Sequence, residues 1–402
     1  MAVTPNPSST EASQGRTHPA GPPSEVTMDD YEYDLPEAAI AQEPVQPRSA
    51  ARLLVAPELS PSGGIEDWTV ADLPRLLRPG DVLAVNDTRV LAARLDLVKA
   101  SGGAAEVLLL EPIDVGRSTW EALVRPGRRL PPGTLLAEPG GQGPVVEVGE
   151  RIEGPVGSGP GAGGPGDRGD RGDGSGRRSV RLLDPAVIDR AGSMPLPPYI
   201  HRRLEDQERY QTVYSTTREP GDRSTAAPTA GLHFTAGLLD ACRAAGAAVV
   251  RVDLAIGLDT FRPVTARTPA EHVIHSERYS VPAETMEACR TADRVVAVGT
   301  TTVRALESAA TTGRLSGRTD LYIHGDHTFR VVDVLVTNFH LPRSSLLLMV
   351  EAFCGPGWRH LYGEALARGF RFLSFGDAMV VARTGAKGAP VEAADPAGGV
   401  AG

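Results

Sequence analysis

Four short stretches gather the side chains that could move a proton or hold a charged ligand. In AAPTAGLHF (226–234), Pro228 and Gly231 shape a tight loop, Thr229 offers a hydroxyl, and His233 stands just before a helix start. An imidazole exchanges protons near neutrality, and a neighbouring helix N-terminus favours its neutral form. In VGTTTVRALES (298–308) a strand runs into a helix, whose unpaired N–H groups attract anions such as carboxylate or phosphate. Thr300, Thr301 and Thr302 are placed to cap or contact such a ligand. Arg304 in the first turn opposes the helix dipole unless an anion compensates it. TNFHLPRSS (337–345) supplies Asn338 and His340, with Phe339 able to stack on a base or face a sulfonium cation. SFGDAM (374–379) adds Asp377 as a candidate general base. Each also has a plain structural reading: a histidine satisfied by backbone, ordinary capping, an exposed arginine, a turn-forming aspartate.

Other chemistries find little support. In EHVIHSERY (271–279), His272 and His275 lie three apart beside Glu271 and Glu277, but the order is not the HExxH of a metalloprotease. No cysteine pair completes a zinc set, so no metal is expected. Neither a G-x-G-x-x-G turn after a strand nor a G-x-x-x-x-G-K-[ST] phosphate loop occurs. Cys242, Cys289 and Cys354 are few and widely spaced, which fits a reducing, cytoplasmic setting and small buried side chains.

The elements that must carry these loops change rhythm along the 402 residues. From Trp68 onward, DVLAVN, ARLDLVKA, AAEVLLLEP, WEALVRPG, GPVVEVGE and SVRLLD read as short strands between Gly and Pro punctuation. Such spacing predicts a small sheet or barrel. After Asp189, strands alternate with helices: a helix capped by Thr235, the strand AAVVRVDLAIG, then RVVAVG into TTTVRALESAA, and FRVVDVLVTN into SSLLLMVEAFCG. FRFLS and AMVVA read as two closing strands. The expected fold class is therefore α/β, a layered α/β domain beside a small antiparallel β-barrel. Residues 1–27, 154–178 and 385–402 are rich in Gly, Pro, Ser or Ala and are expected to be disordered. The N-terminus lacks a basic start and an apolar stretch, predicting no secretory signal, and no apolar run approaches the ~20 residues of a membrane span. Net charge is -9, which counts mildly against a nucleic-acid partner. Local patches at Arg125, Arg128 and Arg129, at Arg177, Arg178 and Arg181, and at His201, Arg202 and Arg203 count the other way.

Read in order, YDLPEAAIAQ, NDTRVLAARL, WEALVRPGRR, PLPPYIHR, YQTVYS, AAPTAGLHFT, HVIHSERY, VGTTTVRALES, VTNFHLPRSSLLLMVEAFCG and FRFLSFGDAM form a collinear set over about residues 31–381. This set resembles the S-adenosylmethionine:tRNA ribosyltransferase-isomerase family of queuosine biosynthesis. The resemblance implies a discontinuous α/β catalytic domain (28–67 and 190–384) with the barrel (68–189) inserted. It also implies a reaction: the ribosyl moiety of S-adenosylmethionine passes to 7-aminomethyl-7-deazaguanine in the tRNA anticodon and isomerises, giving epoxyqueuosine-tRNA, adenine and methionine. S-adenosylmethionine is then the co-substrate, tRNA the partner, no metal or membrane is involved, and a monomer is expected. Under that reading His233 or Asp377 transfers a proton, with His275 and His340 as further catalytic candidates. Thr229, Gly231, Thr300, Thr301, Arg304, Asn338 and Phe339 bind substrate. Asn86, Arg89, Arg94 and Arg202 are RNA-facing or lie at the domain junction. Where the family reads HVGxGTF this chain has AIGLDTF, so Ala255 and Asp259 replace a histidine and a glycine; GDHTF (325–329) and RSAAR (48–52) also depart. These departures leave two alternatives: an S-adenosylmethionine-binding paralogue with another acceptor, or a non-catalytic binding protein.

Overall fold

The computed structural model describes residues 26–152, 176–216, 223–257, 263–274 and 276–385. In chain order the strands and helices are β1 (Arg52–Val55), β2 (Glu66–Thr69), β3 (Asp81–Asn86), β4 (Arg89–Val90), β5 (Arg94–Lys99), β6 (Ala104–Pro112), β7 (Thr119–Arg125), β8 (Leu135–Ala137), β9 (Pro144–Arg151) and β10 (Gly176–Leu182). They continue with α1 (Val187–Ala191), β11 (Gly192–Ser193), β12 (Arg223–Ser224), α2 (Ala236–Ala244), β13 (Ala248–Leu254), β14 (Glu277–Ser280), α3 (Ala283–Thr291), β15 (Arg294–Val298) and α4 (Thr300–Thr312). The chain closes with β16 (Ser316–Thr319), β17 (Val334–Asn338), α5 (Ser345–Cys354), α6 (Trp358–Ala367) and β18 (Ala378–Ala382).

Nine strands form one sheet in the order β16-β14-β13-β3-β15-β17-β18-β1-β2. β13, β3, β15 and β17 run parallel, and β18 returns antiparallel to β17. The middle strands DVLAVN, RVVAV, VLVTN and AMVVA are buried along their whole length, as expected when both sheet faces are covered. Side chains alternate between two cores. Val82, Ala84, Val295, Ala297 and Leu335 meet Val303 and Leu306 of α4, Leu347 and Val350 of α5, and Trp358 and Tyr362 of α6. Leu83, Val85, Val296, Val298 and Val336 meet Phe234 and the Leu238, Leu239 and Cys242 stripe of α2. A charged pair at the strand starts is matched: Arg294 reaches Asp81 through Nη2 at 2.6 Å and Nε at 3.1 Å.

The second sheet, β5-β6-β7-β10-β9-β8, closes on itself through β8 and β5 into a six-stranded antiparallel barrel, with β11 attached to β5. Its interior holds Leu95, Val107, Leu109, Ala122, Val124, Leu136, Val146 and Val180. The expected α/β class with an antiparallel barrel thus holds, but its edges move. DVLAVN, expected in the barrel, is β3 at the heart of the large sheet, because its continuous burial suits a two-sided parallel position rather than a barrel wall. β2, which contains Trp68, lies in that sheet too. LLA at β8 is a barrel strand that its short length concealed. Gly176, Arg177 and Arg178, expected in a loop, pair with Val124, Leu123 and Ala122 in β10. FRFLS is not a strand: Phe372 makes a single bridge to Ile40, Leu373 takes φ +68°, and Phe370 and Phe372 turn into the core. At the other end, Thr27 caps a short 3-10 turn, Met28–Tyr31. The remaining parts of 1–27, 154–178 and 385–402 that were expected to be disordered lie outside the described residues. No helix among the described residues is long and apolar enough to cross a membrane.

Candidate active site

Parallel pairing brings the carboxyl ends of β13, β3, β15 and β17 to one edge, where α/β sheets bind ligands. Asn338 ends β17 opposite Ala378, which begins β18, so the loop carrying Asp377 reaches the same edge.

Asn338 is the hub. Its Oδ1 accepts from Thr229 Oγ1 at 2.9 Å. Its Nδ2 lies 3.2 Å from the Leu373 carbonyl, 3.3 Å from the Asp377 carbonyl and 3.2 Å from His233 Nε2. Two carbonyl neighbours fix the amide orientation. The amide has two hydrogens for three acceptors, so the Nε2 lone pair is not saturated. His233 closes the 3-10 turn Thr229–His233 and is buried. Burial lowers its pKa to about 4, despite the opposing pull of Asp377, and the Arg371 and Arg48 charges lower it further. It is therefore a free base at neutral pH. Gly231 is required within this turn, since a Cβ there would sit 2.1 Å from the Tyr214 hydroxyl.

The amino end of α4 abuts the same turn, with Gly299 (φ +87°) near the Ala230 methyl. Thr300, Thr301 and Thr302 form its first turn, and no side chain caps it. Asn86, at the end of β3, donates to Thr301 Oγ1 at 3.2 Å and to the Leu254 carbonyl at 3.1 Å, while its Oδ1 accepts from Leu254 N at 3.1 Å. It therefore welds two strand ends to the start of α4 from inside the protein. A cleft at this edge is lined by Thr229, Asn338, Ser344 and Ser374, with Tyr199 bonded to Ser374 at 2.7 Å. Burial raises the Tyr199 pKa, so its hydroxyl keeps its proton.

Several expected site residues do other work. Asp377 is buried, and its carboxylate accepts from Arg52 N at 3.1 Å, Arg371 N at 2.8 Å and Arg371 Nη2 at 3.3 Å. It anchors the 371–377 loop and has little left to offer as a general base. Gly376 lets that loop close, because a Cβ would fall 2.4 Å from the Arg371 carbonyl. Arg304 is buried against Glu277 and donates to the Leu321 and Thr319 carbonyls, which occupies the fork expected for a substrate carboxylate. The Phe339 ring is fully buried, stacked on Phe372 at 4.7 Å, so it does not present a face to ligand. The His340 ring meets Thr337 Oγ1 through Nε2 at 3.0 Å, its backbone N–H donates to the Tyr362 hydroxyl at 3.0 Å, and burial lowers its pKa to about 3. It lines the strand-end cleft as a neutral imidazole. Arg89 bonds Ser215 and Glu208, Arg94 pairs with Glu106 at 3.6 Å, and Arg202 pairs with Glu43 at the surface. His275 and Asp259 lie outside the described residues. No group of metal-ligating side chains occurs among the described residues. Tyr199, Ser344 and Ser374 were not singled out, although they lie in PLPPYIHR, TNFHLPRSS and FRFLSFGDAM.

A strand-end site on an α/β sheet with a separate closed barrel, built around a neutral histidine, hydroxyls and an uncapped helix start, has the makings of an enzyme active site. The chain belongs to the queuosine biosynthesis protein family, whose model matches residues 28–381. It is 45% identical over 358 residues to the S-adenosylmethionine:tRNA ribosyltransferase-isomerase of Rubrobacter xylanophilus, covering 89% of this chain and 98% of that one. It is 46% identical to the protein of the same name from Symbiobacterium thermophilum, covering 89% and 100%. A solved S-adenosylmethionine tRNA ribosyltransferase from Thermotoga maritima is 32% identical, with 87% and 99% covered and a TM-score of 0.46.

Proposed function

We propose that this chain transfers and isomerises the ribosyl moiety of S-adenosylmethionine onto 7-aminomethyl-7-deazaguanine in the tRNA anticodon, releasing adenine and methionine. Relatives about 45% identical over most of their length, bearing that enzyme name, support the reading. The observation that carries it is the meeting of Thr229, His233 and Asn338 beside the amino end of α4. A base must take a proton from the carbon beside the sulfonium, an acid must help adenine leave, and the acceptor amine must be held in line. His233 is the base: its imidazole is unprotonated, and its Nε2 lies 3.2 Å from Nδ2 of Asn338, which lines the cleft. The Tyr199–Ser374 hydroxyl pair serves as proton donor. The uncapped start of α4, rather than Arg304, takes the methionine carboxylate. Asp377 is a positioning residue, since its carbonyl and carboxylate fix the loop against Asn338.

The same proposal covers a discontinuous α/β domain carrying the barrel, a monomer acting in the cytosol, and a reaction that invokes no metal. Purified full-length chain with S-adenosylmethionine and tRNA bearing the aminomethyl base tests it. Adenine and epoxyqueuosine should appear in equal amounts, by chromatography and mass spectrometry. Adenine without modified tRNA would indicate another acceptor, and tight S-adenosylmethionine binding without turnover would leave a binding protein.

A further inference from the structure

Asn86 is wholly buried at the end of β3, and backbone groups fix which way its amide faces. Its Oδ1 accepts from Thr88 N at 3.2 Å and from Leu254 N at 3.1 Å, so Nδ2 is the donor on the other side. One Nδ2 hydrogen goes to the Leu254 carbonyl at 3.1 Å and the other to Thr301 Oγ1 at 3.2 Å. A hydroxyl has one proton and two lone pairs. Because Thr301 Oγ1 accepts from Asn86, its own proton turns away from that amide, and it meets no acceptor among the described residues. The other threonines of this turn differ. Thr302 is spent, donating to the Val298 carbonyl at 2.6 Å. Thr300 is 6% exposed, yet its hydroxyl has no partner among the described residues, and its oxygen is not sealed from the outside. Gly299 sets the position of both: a Cβ there would lie 3.6 Å from the Ala230 methyl and 3.7 Å from Thr301 Oγ1. The Thr301 hydroxyl therefore adjoins the turn that carries Thr229 and His233.

We infer that Thr300 and Thr301 donate their hydroxyl protons to the methionine carboxylate of S-adenosylmethionine, and that Asn86 is a positioning residue that keeps the Thr301 proton aimed at it. The inference rests on the proposed function and assigns side chains to the carboxylate end of its site. Two hydroxyl protons without an acceptor, beside the unpaired N–H groups of a helix start, call for an oxyanion. Asn86 and Thr302 are fully buried and Thr300 nearly so, which makes the floor of this site deep. A small terminal carboxylate reaches such a floor more readily than a phosphodiester flanked by two riboses. Thr301 is half-buried, so its proton stays within reach of a ligand.

The test is equilibrium binding to the full-length chain without tRNA, comparing S-adenosylmethionine with its decarboxylated analogue, which keeps the sulfonium, amine and adenosine. Wild type should prefer S-adenosylmethionine by at least about tenfold, the scale of one hydrogen bond to a charged acceptor. Thr301→Val should weaken S-adenosylmethionine about tenfold and leave the analogue within about twofold, and Thr301→Ser, which keeps the hydroxyl, should restore the preference. Asn86→Asp puts an acceptor where the amide donates, turns the Thr301 proton inward and should erase the preference too. Two ligands on one variant separate lost recognition from lost folding, because a distorted fold weakens both. Equal losses for both ligands in Thr301→Val, or a wild type without preference, would overturn the inference. A changed tRNA Kd and salt slope with unchanged S-adenosylmethionine binding would assign the hydroxyls to an RNA phosphate and overturn it as well. A wild type that reads the carboxylate through Thr301 yet transfers no ribosyl group would count against the reaction alone; turnover without any carboxylate preference would count against the subsite alone.

Discussion

His233 titrates far below an ordinary imidazole because burial penalises the cation, and Asp377, whose carboxylate is shared with Arg371, only partly offsets that penalty. With a pKa of about 4 it adds no acid limb between pH 5.5 and 8, so kcat/KM should be flat across that window. Asn338→Asp places a carboxylate next to Nε2, raises the imidazole pKa and should bring a limb into the same window. An unchanged profile in that variant would argue that His233 does not touch the reacting proton. The histidine and the asparagine were both legible as loop residues rich in chemistry. What stayed hidden was which polar groups are already spent: Asp377 on two backbone amides, Arg304 on Glu277, and Phe339 on Phe372. Side-chain partners far away in sequence decide that, and spacing along the chain carries no trace of them.

The elements hold these groups through close approach. Thr229–His233 is a 3-10 turn pressed on Tyr214, with space for a hydrogen at residue 231 and nothing larger. Gly231→Ala should destabilise the chain by about 1–3 kcal/mol in urea unfolding and lower turnover, as the turn shifts away from Asn338. A fully active, equally stable variant would show that the turn tolerates the shift. The helices around the site were readable because their caps and periodicity are local: Thr235 caps α2 at 3.1 Å from Leu238 N, and Ser344 caps α5 at 3.3 Å from Leu347 N. FRFLS misled because apolar alternation without a partner strand is only a buried loop, here tied down by Asp377. DVLAVN misled in the other direction: the run of barrel strands begins shortly after it in sequence, at β5, while its neighbours in space are β13 and β15.

At the scale of the molecule, two buried histidines couple folding to pH. His340 and His233 have folded pKa values of about 3 and about 4, both below the ordinary unfolded value near 6.5. The unfolded chain binds more protons between those values, so their contribution is complete above about pH 6.5 and is lost as pH falls toward 3–4. The urea midpoint should therefore drop from pH 7.5 to pH 5, and His340→Gln should show a smaller drop. An equal drop would mean that other groups dominate. The overall charge of -9 counts mildly against a nucleic-acid partner, but a sum over the chain says nothing of local patches. The α/β class with its barrel was legible from rhythm and turn residues, while the barrel's edges, set by long-range pairing, were not. The proposed reaction turns on proton chemistry at the strand-end edge through one imidazole. Its most direct measurement is the single-turnover rate of adenine release by His233→Gln on saturating tRNA. A fall of at least about a hundredfold, with the S-adenosylmethionine Kd within a few-fold of wild type, is the expected result; a rate equal to wild type would contradict it.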